Sequence, residues 1–167
     1  LARQALAAMR ETDVRIVFLH WGHEYEFFPT ARQGALAREL VAAGADVVVG
    51  SGPHVPQPAE AIGVNGYGGL SSQVSDGSGR KRKALVLYSL GNFATAMYGF
   101  YCRVGTLQRI SFFRTPEGVD WGDLGQSHFY NRRRGRGREM VPLAEELARA
   151  GASRAKWEWL KQWIIPC

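Results

Sequence analysis

Three polar residues each follow a short apolar run, and their side chains could together bind a metal ion or an anion. They are His20, His54 and Asn92. Imidazole is a common ligand of divalent transition metals, and an asparagine can bind through its carbonyl oxygen or donate to a phosphoryl oxygen. Glycines lie close to all three in the sequence, so the backbone can approach a ligand. The residue types therefore predict a metal-and-anion site built from three loops.

Each of these residues also has a purely structural interpretation. His20 could be a hydrogen-bonded histidine at the end of a strand beside Trp21. Asn92 could be a turn residue that tolerates left-handed backbone geometry. His54 lies in a proline-rich loop, which would leave it as a surface group. Another histidine, His128, lies in a segment that the pattern does not connect with the others.

A strand–helix–strand unit is predicted to position the two histidines. Residues 14–19 and 46–50 are short apolar runs, which are typical of buried parallel strands. Between them, Thr30 and Gln33 have the spacing of a capping box that starts a helix, and Gly44 is a suitable end. Parallel strands need such a crossover, and their carboxyl ends share one edge of the sheet. Ligands of open α/β sheets bind at that edge.

Other predicted elements fill the rest of the chain. Strands are predicted at residues 59–64, 84–88 and 104–113, the last antiparallel or at an edge, an exposed loop at 65–83, an irregular Gly/Arg-rich segment at 120–138 and a helix over 141–160. The third apolar strand, 84–88, leads directly to Asn92. The prediction therefore brings all three polar residues to one edge of the sheet.

Composition indicates a globular chain whose positive charge is local. The chain has 167 residues, 46% of them hydrophobic, and a net charge of +6 from 21 Lys+Arg and 15 Asp+Glu. Nine of the cations lie in two basic runs, Arg80–Lys83 and Arg132–Arg138, so the rest of the chain is mildly acidic. No aromatic platform alternates with the arginines, so we do not expect nucleic-acid binding.

The remaining features exclude several classes and predict an incomplete domain. The two cysteines, Cys102 and Cys167, provide neither a disulfide framework nor a zinc ribbon. No apolar run approaches the 18 residues of a membrane-spanning helix. A helical pattern is already under way at Leu1, which predicts that an upstream part of the protein precedes this sequence.

Four segments, taken in order, resemble one protein family. They are Val17-Phe18-Leu19-His20-Trp21-Gly22-His23-Glu24-Tyr25, residues 36–50, Pro53-His54-Val55-Pro56-Gln57-Pro58 and Tyr88-Ser89-Leu90-Gly91-Asn92-Phe93. The order and spacing resemble the CapA family of capsule-synthesis proteins, poly-γ-glutamate biosynthesis members of the calcineurin-like metallophosphoesterase superfamily. The resemblance covers residues 1–115 and implies an α/β fold, the C-terminal part of a four-layer α/β/β/α sandwich. Residues 116–167 would be a separate irregular segment and C-terminal helix.

The resemblance also implies a site. His20 and His54 match metal-ligand positions, and Asn92 matches an asparagine near the catalytic centre. Three residues, Trp21, Glu24 and Ser51, are expected beside the ligands. The cofactor would be a divalent transition metal, namely manganese, zinc or iron, which activates water for attack on a phosphoryl or acyl centre.

Two departures from the family pattern limit this expectation. Ser51 and Gly52 stand where members usually carry one or two histidines, and a hydroxyl is a poorer ligand than an imidazole. The superfamily's earlier Asp-x-His, Gly-Asp and Asn-His segments have no counterpart and would lie upstream of Leu1. The fragment alone is therefore expected to be inactive.

The resemblance implies a role in the synthesis or export of a capsule polymer. The substrate would be an anionic polymer or a phosphoester, the partners those of a capsule-synthesis complex, and the location the cell envelope, although cytoplasmic members would look the same. The alternative is a non-catalytic assembly or export factor that binds polyanions through the two basic runs. A simpler interpretation of the runs is a pair of solvated loops.

Overall fold

Eight strands and three helices form the described part of the chain. The computed structural model describes residues 2–9, 14–116 and 118–149. In chain order the elements are α1 (Ala2–Ala8), β1 (Ile16–His20), α2 (Ala31–Ala42), β2 (Val47–Ser51), β3 (Ala59–Val64), β4 (Ser72–Val74), β5 (Arg82–Leu87), a 3-10 helix (Tyr101–Arg103), β6 (Val104–Thr115), β7 (Gly118–Arg134), β8 (Gly137–Pro142) and α3 (Leu143–Arg149). The mixed α/β class predicted from the sequence is confirmed.

The predicted strand–helix–strand unit is present as β1, α2 and β2. The Thr30 side chain accepts from the Gln33 backbone N–H at 3.2 Å, and the Gln33 side chain accepts from the Thr30 N–H at 2.9 Å. This reciprocal capping box starts α2. Gly44 follows the helix with φ +109°, a left-handed conformation that favours glycine and turns the chain toward β2.

The larger sheet has five strands in the order β1-β2-β5-β3-β4. Strands β1, β2 and β5 are parallel, and the β1–β2 register runs from Ile16 opposite Val47 to His20 opposite Ser51. Strand β3 runs antiparallel to β5 and parallel to β4. The third predicted strand is therefore confirmed as β5, although it begins earlier, at Arg82.

The prediction that residues 120–138 form an irregular segment is wrong. Strand β7 covers most of it and pairs antiparallel with β6 and with β8. Side-chain alternation does not indicate this strand, because β7 is held by backbone pairing with β6 and β8. The β6–β7 ladder also shifts register between Arg109 and Ser111, which interrupts the alternation.

The C-terminal helix differs in its start as well. Val141 still belongs to β8, so α3 begins at Leu143 and not at Val141. The part of the predicted helix beyond residue 149 lies outside the described residues. The division of the chain at residue 115 stays a prediction, and the β6–β7 hairpin spans it.

Successive residues of the central strands face two different layers. Val48 and Val86 pack against Ala37 and Leu40 of α2, where all four are buried. Their strand neighbours on the opposite face pack against the three-stranded sheet, chiefly against Trp121 of β7. The described residues thus form an α/β/β arrangement in which both faces of β2 and β5 are buried, and this fixes where the ends of these strands lie.

Candidate functional site

The predicted site residues lie at the carboxyl edge of the parallel strands. His20 is the last residue of β1, and its register partner Ser51 is the last residue of β2. His54 follows β2 by three residues, and Asn92 follows β5 by five. The loops that hold them leave the same edge of the sheet, because β1, β2 and β5 run in one direction.

His54 and Asn92 are in direct contact. The His54 Nδ1 lies 2.8 Å from the Asn92 Oδ1, and the Asn92 Nδ2 donates to the Cys102 carbonyl at 2.8 Å. A backbone carbonyl only accepts, so the network assigns the Asn92 amide nitrogen to Cys102 and its oxygen to His54. The Nδ1 of His54 therefore carries a hydrogen, and in the neutral ring Nε2 has the free lone pair.

Backbone geometry also constrains His54. Its φ is +62°, in the left-handed region that a non-glycine residue seldom adopts. Asn92 Nδ2 lies 3.3 Å from the His54 carbonyl, so one asparagine contacts both the ring and the backbone of this histidine. Strained backbone held by surrounding contacts is frequent at functional sites.

Glu24 faces the other side of the same ring. Its Oε1 lies 3.6 Å from the His54 Nε2, and both side chains are partly exposed. In a neutral His54 the Nε2 lone pair would face carboxylate lone pairs. Such a juxtaposition is stabilised by a proton on Nε2 or by a cation between the two atoms.

His20 is held much more loosely. Its Nδ1 lies 3.4 Å from the Ser51 Oγ, and the serine hydroxyl donates to the Leu19 carbonyl at 3.1 Å. The only hydroxyl hydrogen is thus engaged by the sheet, so Ser51 can only accept from His20. Both side chains are exposed. Ser51 lies beside His20 but does not fix the ring as Asn92 fixes His54.

Trp21 joins two of the three loops as a structural anchor. It is 9% exposed, and its indole N–H donates to the Tyr88 carbonyl at 2.9 Å. A Cβ at Gly50 would lie 2.2 Å from the Trp21 Nε1, and one at Gly52 (φ +121°) would lie 2.3 Å from the Trp21 carbonyl oxygen. Any side chain at position 52 would therefore displace this loop.

A cleft of about 420 Å³ opens beside His20, and its walls come from the β1–α2 loop and the start of α2. It is lined by His20, Trp21, Gly22, His23, Thr30, Arg32, Gln33 and Leu36. His54 and Asn92 are not among these residues. The predicted site residues thus make two sets of contacts, His54 with Asn92 and Glu24, and His20 with Ser51 beside the cleft.

Arg32 is a cleft residue that the sequence analysis missed. It lies in the first turn of α2, and its side chain is exposed. The signal was available: the Thr30–Gln33 capping box predicts that a helix begins in the segment after β1, and Arg32 lies in its first turn.

The described residues do not form a complete metal site. They contain no group of three or more His, Cys, Asp or Glu side chains that could hold a metal ion. Burial raises the pKa of the nearby Cys102 thiol, which disfavours its thiolate form. Within the same residues, no helix is long and apolar enough to cross a membrane.

One family profile and several known proteins are similar to this chain. A sequence profile described as bacterial capsule synthesis protein PGA_cap matches residues 1–97. The PGA biosynthesis protein CapA of Bacillus subtilis (strain 168) is 38% identical over 86 residues, which are 52% of this chain and 18% of that protein. The capsule biosynthesis protein CapA of Bacillus anthracis is 37% identical over 81 residues, which are 48% of this chain and 15% of that protein.

A relative from a third organism is also similar to this chain. A probable polyglutamine synthesis accessory protein of Mycobacterium tuberculosis is 38% identical over 60 residues, 36% of this chain and 16% of that protein. No solved structure matches the chain. The matched stretch thus spans less than a fifth of the length of each of these relatives.

Proposed function

Because this chain belongs to the bacterial capsule synthesis protein family, we propose that it is part of a protein that acts in the synthesis or export of a poly-γ-glutamate capsule. The family profile covers more than half of the chain, including β1, α2, β2 and β5. The names of the two Bacillus relatives support this role. The polymer or a phosphoester precursor would be the substrate, and other capsule-synthesis proteins would be the partners.

The strand-end loops would be the functional site of that protein. The observation that supports this best is the position of the His54 Nε2, 3.6 Å from the Glu24 carboxylate while Asn92 holds the opposite side of the ring. Two electron-pair donors at this separation suit a shared proton or a shared cation. Two ligands at about 2.1 Å from a tetrahedral metal lie roughly 3.4 Å apart, so the pair fits two positions of such a site.

A metal centre nevertheless requires more than the described residues supply. A transition metal usually takes three or four protein ligands, and the described residues bring no three of them together. We propose that His20 and His54 contribute to a manganese, zinc or iron site only within a longer protein that adds carboxylate ligands. No chemical step is assigned to the chain on its own, which we expect to be inactive.

The exposed edge of the larger sheet supports a more extensive fold in the longer protein. Phe18 and Ile16 of β1 are 75% and 41% exposed, although their register partners Val49 and Val47 face the second sheet. Apolar residues on such a face are normally covered. We propose that further elements cover them and complete a four-layer α/β/β/α sandwich. We propose that this protein acts at the cell envelope, and the capsule role of the family supports that location.

A second candidate function is polyanion binding without catalysis, in an assembly or export factor. Arg32 at the His20 cleft favours it, because an exposed guanidinium suits carboxylate or phosphate. Turnover of a generic phosphoester with manganese or zinc would support the hydrolytic role. Tight binding of polyglutamate without turnover would support the binding role.

Metal analysis of a longer protein that contains this chain tests the site. We expect a stoichiometric transition metal that falls in His20→Ala and in His54→Ala. His128→Ala is the matched control, since it removes an imidazole that contacts Thr106 on β6 instead of the strand-end loops. Unchanged metal content in both site variants, or an equal fall in His128→Ala, would reject the ligand assignment.

A further inference from the structure

A second cleft lies at the opposite end of the five-stranded sheet. It has a volume of about 420 Å³ and is bounded by the β3–β4 loop, the residues before β5 and the tip of the β6–β7 hairpin. The side chains that matter for its chemistry are Tyr67, Arg80, Lys81, Arg82 and Asp120. This is the amino end of β5, whereas Asn92 follows the carboxyl end of that strand.

The four cations of the first basic run divide into two used by the fold and two left unpaired. The Arg82 guanidinium contacts Asp46 at 3.1 Å and Asp76 at 3.4 Å, and it is buried. The Lys83 ammonium lies 3.6 Å from Asp120 and 4.5 Å from the centre of the Trp121 ring. These two charges are neutralised within the fold.

Arg80 and Lys81 differ from their neighbours. Both are exposed, and among the described residues neither has a carboxylate within ion-pair distance. The Arg80 side chain nevertheless has a defined position. Its guanidinium lies against Gly118, where a Cβ would come within 2.6 Å of its Nη1. The absence of a side chain at Gly118 thus makes room for the Arg80 head group at the wall of the cleft.

The β3–β4 loop offers a neutral hydrogen-bond donor to the same cleft. Tyr67 lines the cleft, and the described residues include no acceptor for its phenol group. Its backbone is held by the Val64 carbonyl and by the Gln73 side chain, which fixes the loop that carries it. A ligand in the cleft would meet the two cations and the Tyr67 hydroxyl, while the Asp120 carboxylate in the lining is paired with Lys83.

We propose that this cleft binds a short oligoanion, a molecule with two or more neighbouring carboxylate or phosphate groups. Two uncompensated cations on adjacent residues suit two negative groups better than one, and charge-assisted hydrogen bonds supply most of the affinity. The inference rests on this cleft alone, not on the function proposed for the strand-end loops. Either can fail without the other.

The second basic run provides a matched control. Arg132 contacts Glu139, Glu145 and Glu146, so its charge is compensated. Arg133 and Arg136 are exposed on the β7–β8 hairpin, away from the cleft. Replacing those two removes the same charge from the chain as replacing Arg80 and Lys81. A general effect of net charge would therefore appear equally in both double variants.

Calorimetric titration of the chain with inorganic tripolyphosphate and with a short glutamate oligomer tests the proposal. We expect saturable one-site binding of at least one probe, weakened by added salt. Arg80→Ala with Lys81→Ala should weaken it by about tenfold or more, and Arg133→Ala with Arg136→Ala by less than about twofold. Tyr67→Phe, which keeps the ring and removes the donor, should cost a few-fold. The preferred probe distinguishes carboxylate from phosphate chemistry.

Two results would overturn the proposal. One is the lack of saturable binding of either probe at low salt. The other is an equal loss of affinity in the two double variants, which would show a non-specific effect of charge. Circular dichroism of each variant checks that the fold is retained, as expected for exposed side chains.

Discussion

The two ends of the larger sheet use their polar side chains differently. At the amino end of β5, Arg82 is 6% exposed and donates to the carbonyls of Val41 and Ala45 as well as to two carboxylates. At the carboxyl end, His54 is fixed through Nδ1 while its Nε2 remains unused by the fold except for the approach of Glu24. A polar group that is fully paired serves stability, whereas one that is fixed but incompletely paired can serve a ligand.

The largest expected effect is at the fully paired end. Arg82→Ala should lower the free energy of unfolding by about 3–5 kcal/mol, because it leaves two partly buried carboxylates and the Val41 and Ala45 carbonyls without their partner. Urea denaturation measures the loss. Lys81→Ala, next to it but exposed, should change stability by less than about 0.5 kcal/mol. Similar values for the two variants would show that Arg82 is not the structural member of the run.

The next largest effect is expected at Gly50, where the backbone lies close to the Trp21 indole at the carboxyl end of the sheet. Gly50→Ala should cost about 1–3 kcal/mol, because the new Cβ would lie 2.2 Å from both the Trp21 Nε1 and the Tyr88 carbonyl oxygen. The change should also shift the Trp21 fluorescence. Gly68→Ala is the control, since a Cβ there meets nothing within 4 Å. A Gly50→Ala protein as stable as Gly68→Ala would contradict this packing.

Removing the amide that holds His54 should have a moderate cost and a specific spectroscopic effect. Asn92→Ala loses the hydrogen bonds to His54 and Cys102, and we expect a cost of about 1–2 kcal/mol. Nitrogen-15 NMR should find neutral His54 with its hydrogen on Nδ1 in the original protein, but not in the variant. If the neutral ring of the original protein carries its hydrogen on Nε2, the proposed free lone pair on that nitrogen is wrong.

The smallest effect is a change in pH dependence at the amino end. Hydrogen bonds from Ser78 and Asn65, together with the Arg82 charge, lower the pKa of Asp76 to about 2, against the opposing effect of burial. The stability that this carboxylate contributes is complete above its ordinary pKa of about 4 and is lost as the pH falls toward 2. Acid unfolding of Asp76→Asn should lack this contribution. Superimposable acid-unfolding curves would contradict it.

Short sequence patterns were sufficient to predict the strand–helix–strand unit of β1, α2 and β2. The Thr30–Gln33 capping box, Gly44 and the valine-rich run of β2 act over a few residues, so their neighbours in the sequence specify them. The prediction of an irregular segment at residues 120–138 was wrong because the structure there depends on residues that are distant in the sequence. Strand β7 depends on pairing with β6 and β8, and the register shift after Arg109 obscures the alternation that would have indicated a strand.

The site shows the same division between local and long-range information. The sequence alone predicted that His20, His54 and Asn92 would follow strand ends, because each apolar run ends just before a polar loop. Only the tertiary structure placed Asn92 and Glu24 on opposite sides of His54, set His20 beside Ser51 at a cleft and divided one basic run into paired and unpaired cations. Those outcomes depend on atoms tens of residues apart, whose distances follow from sheet order and packing.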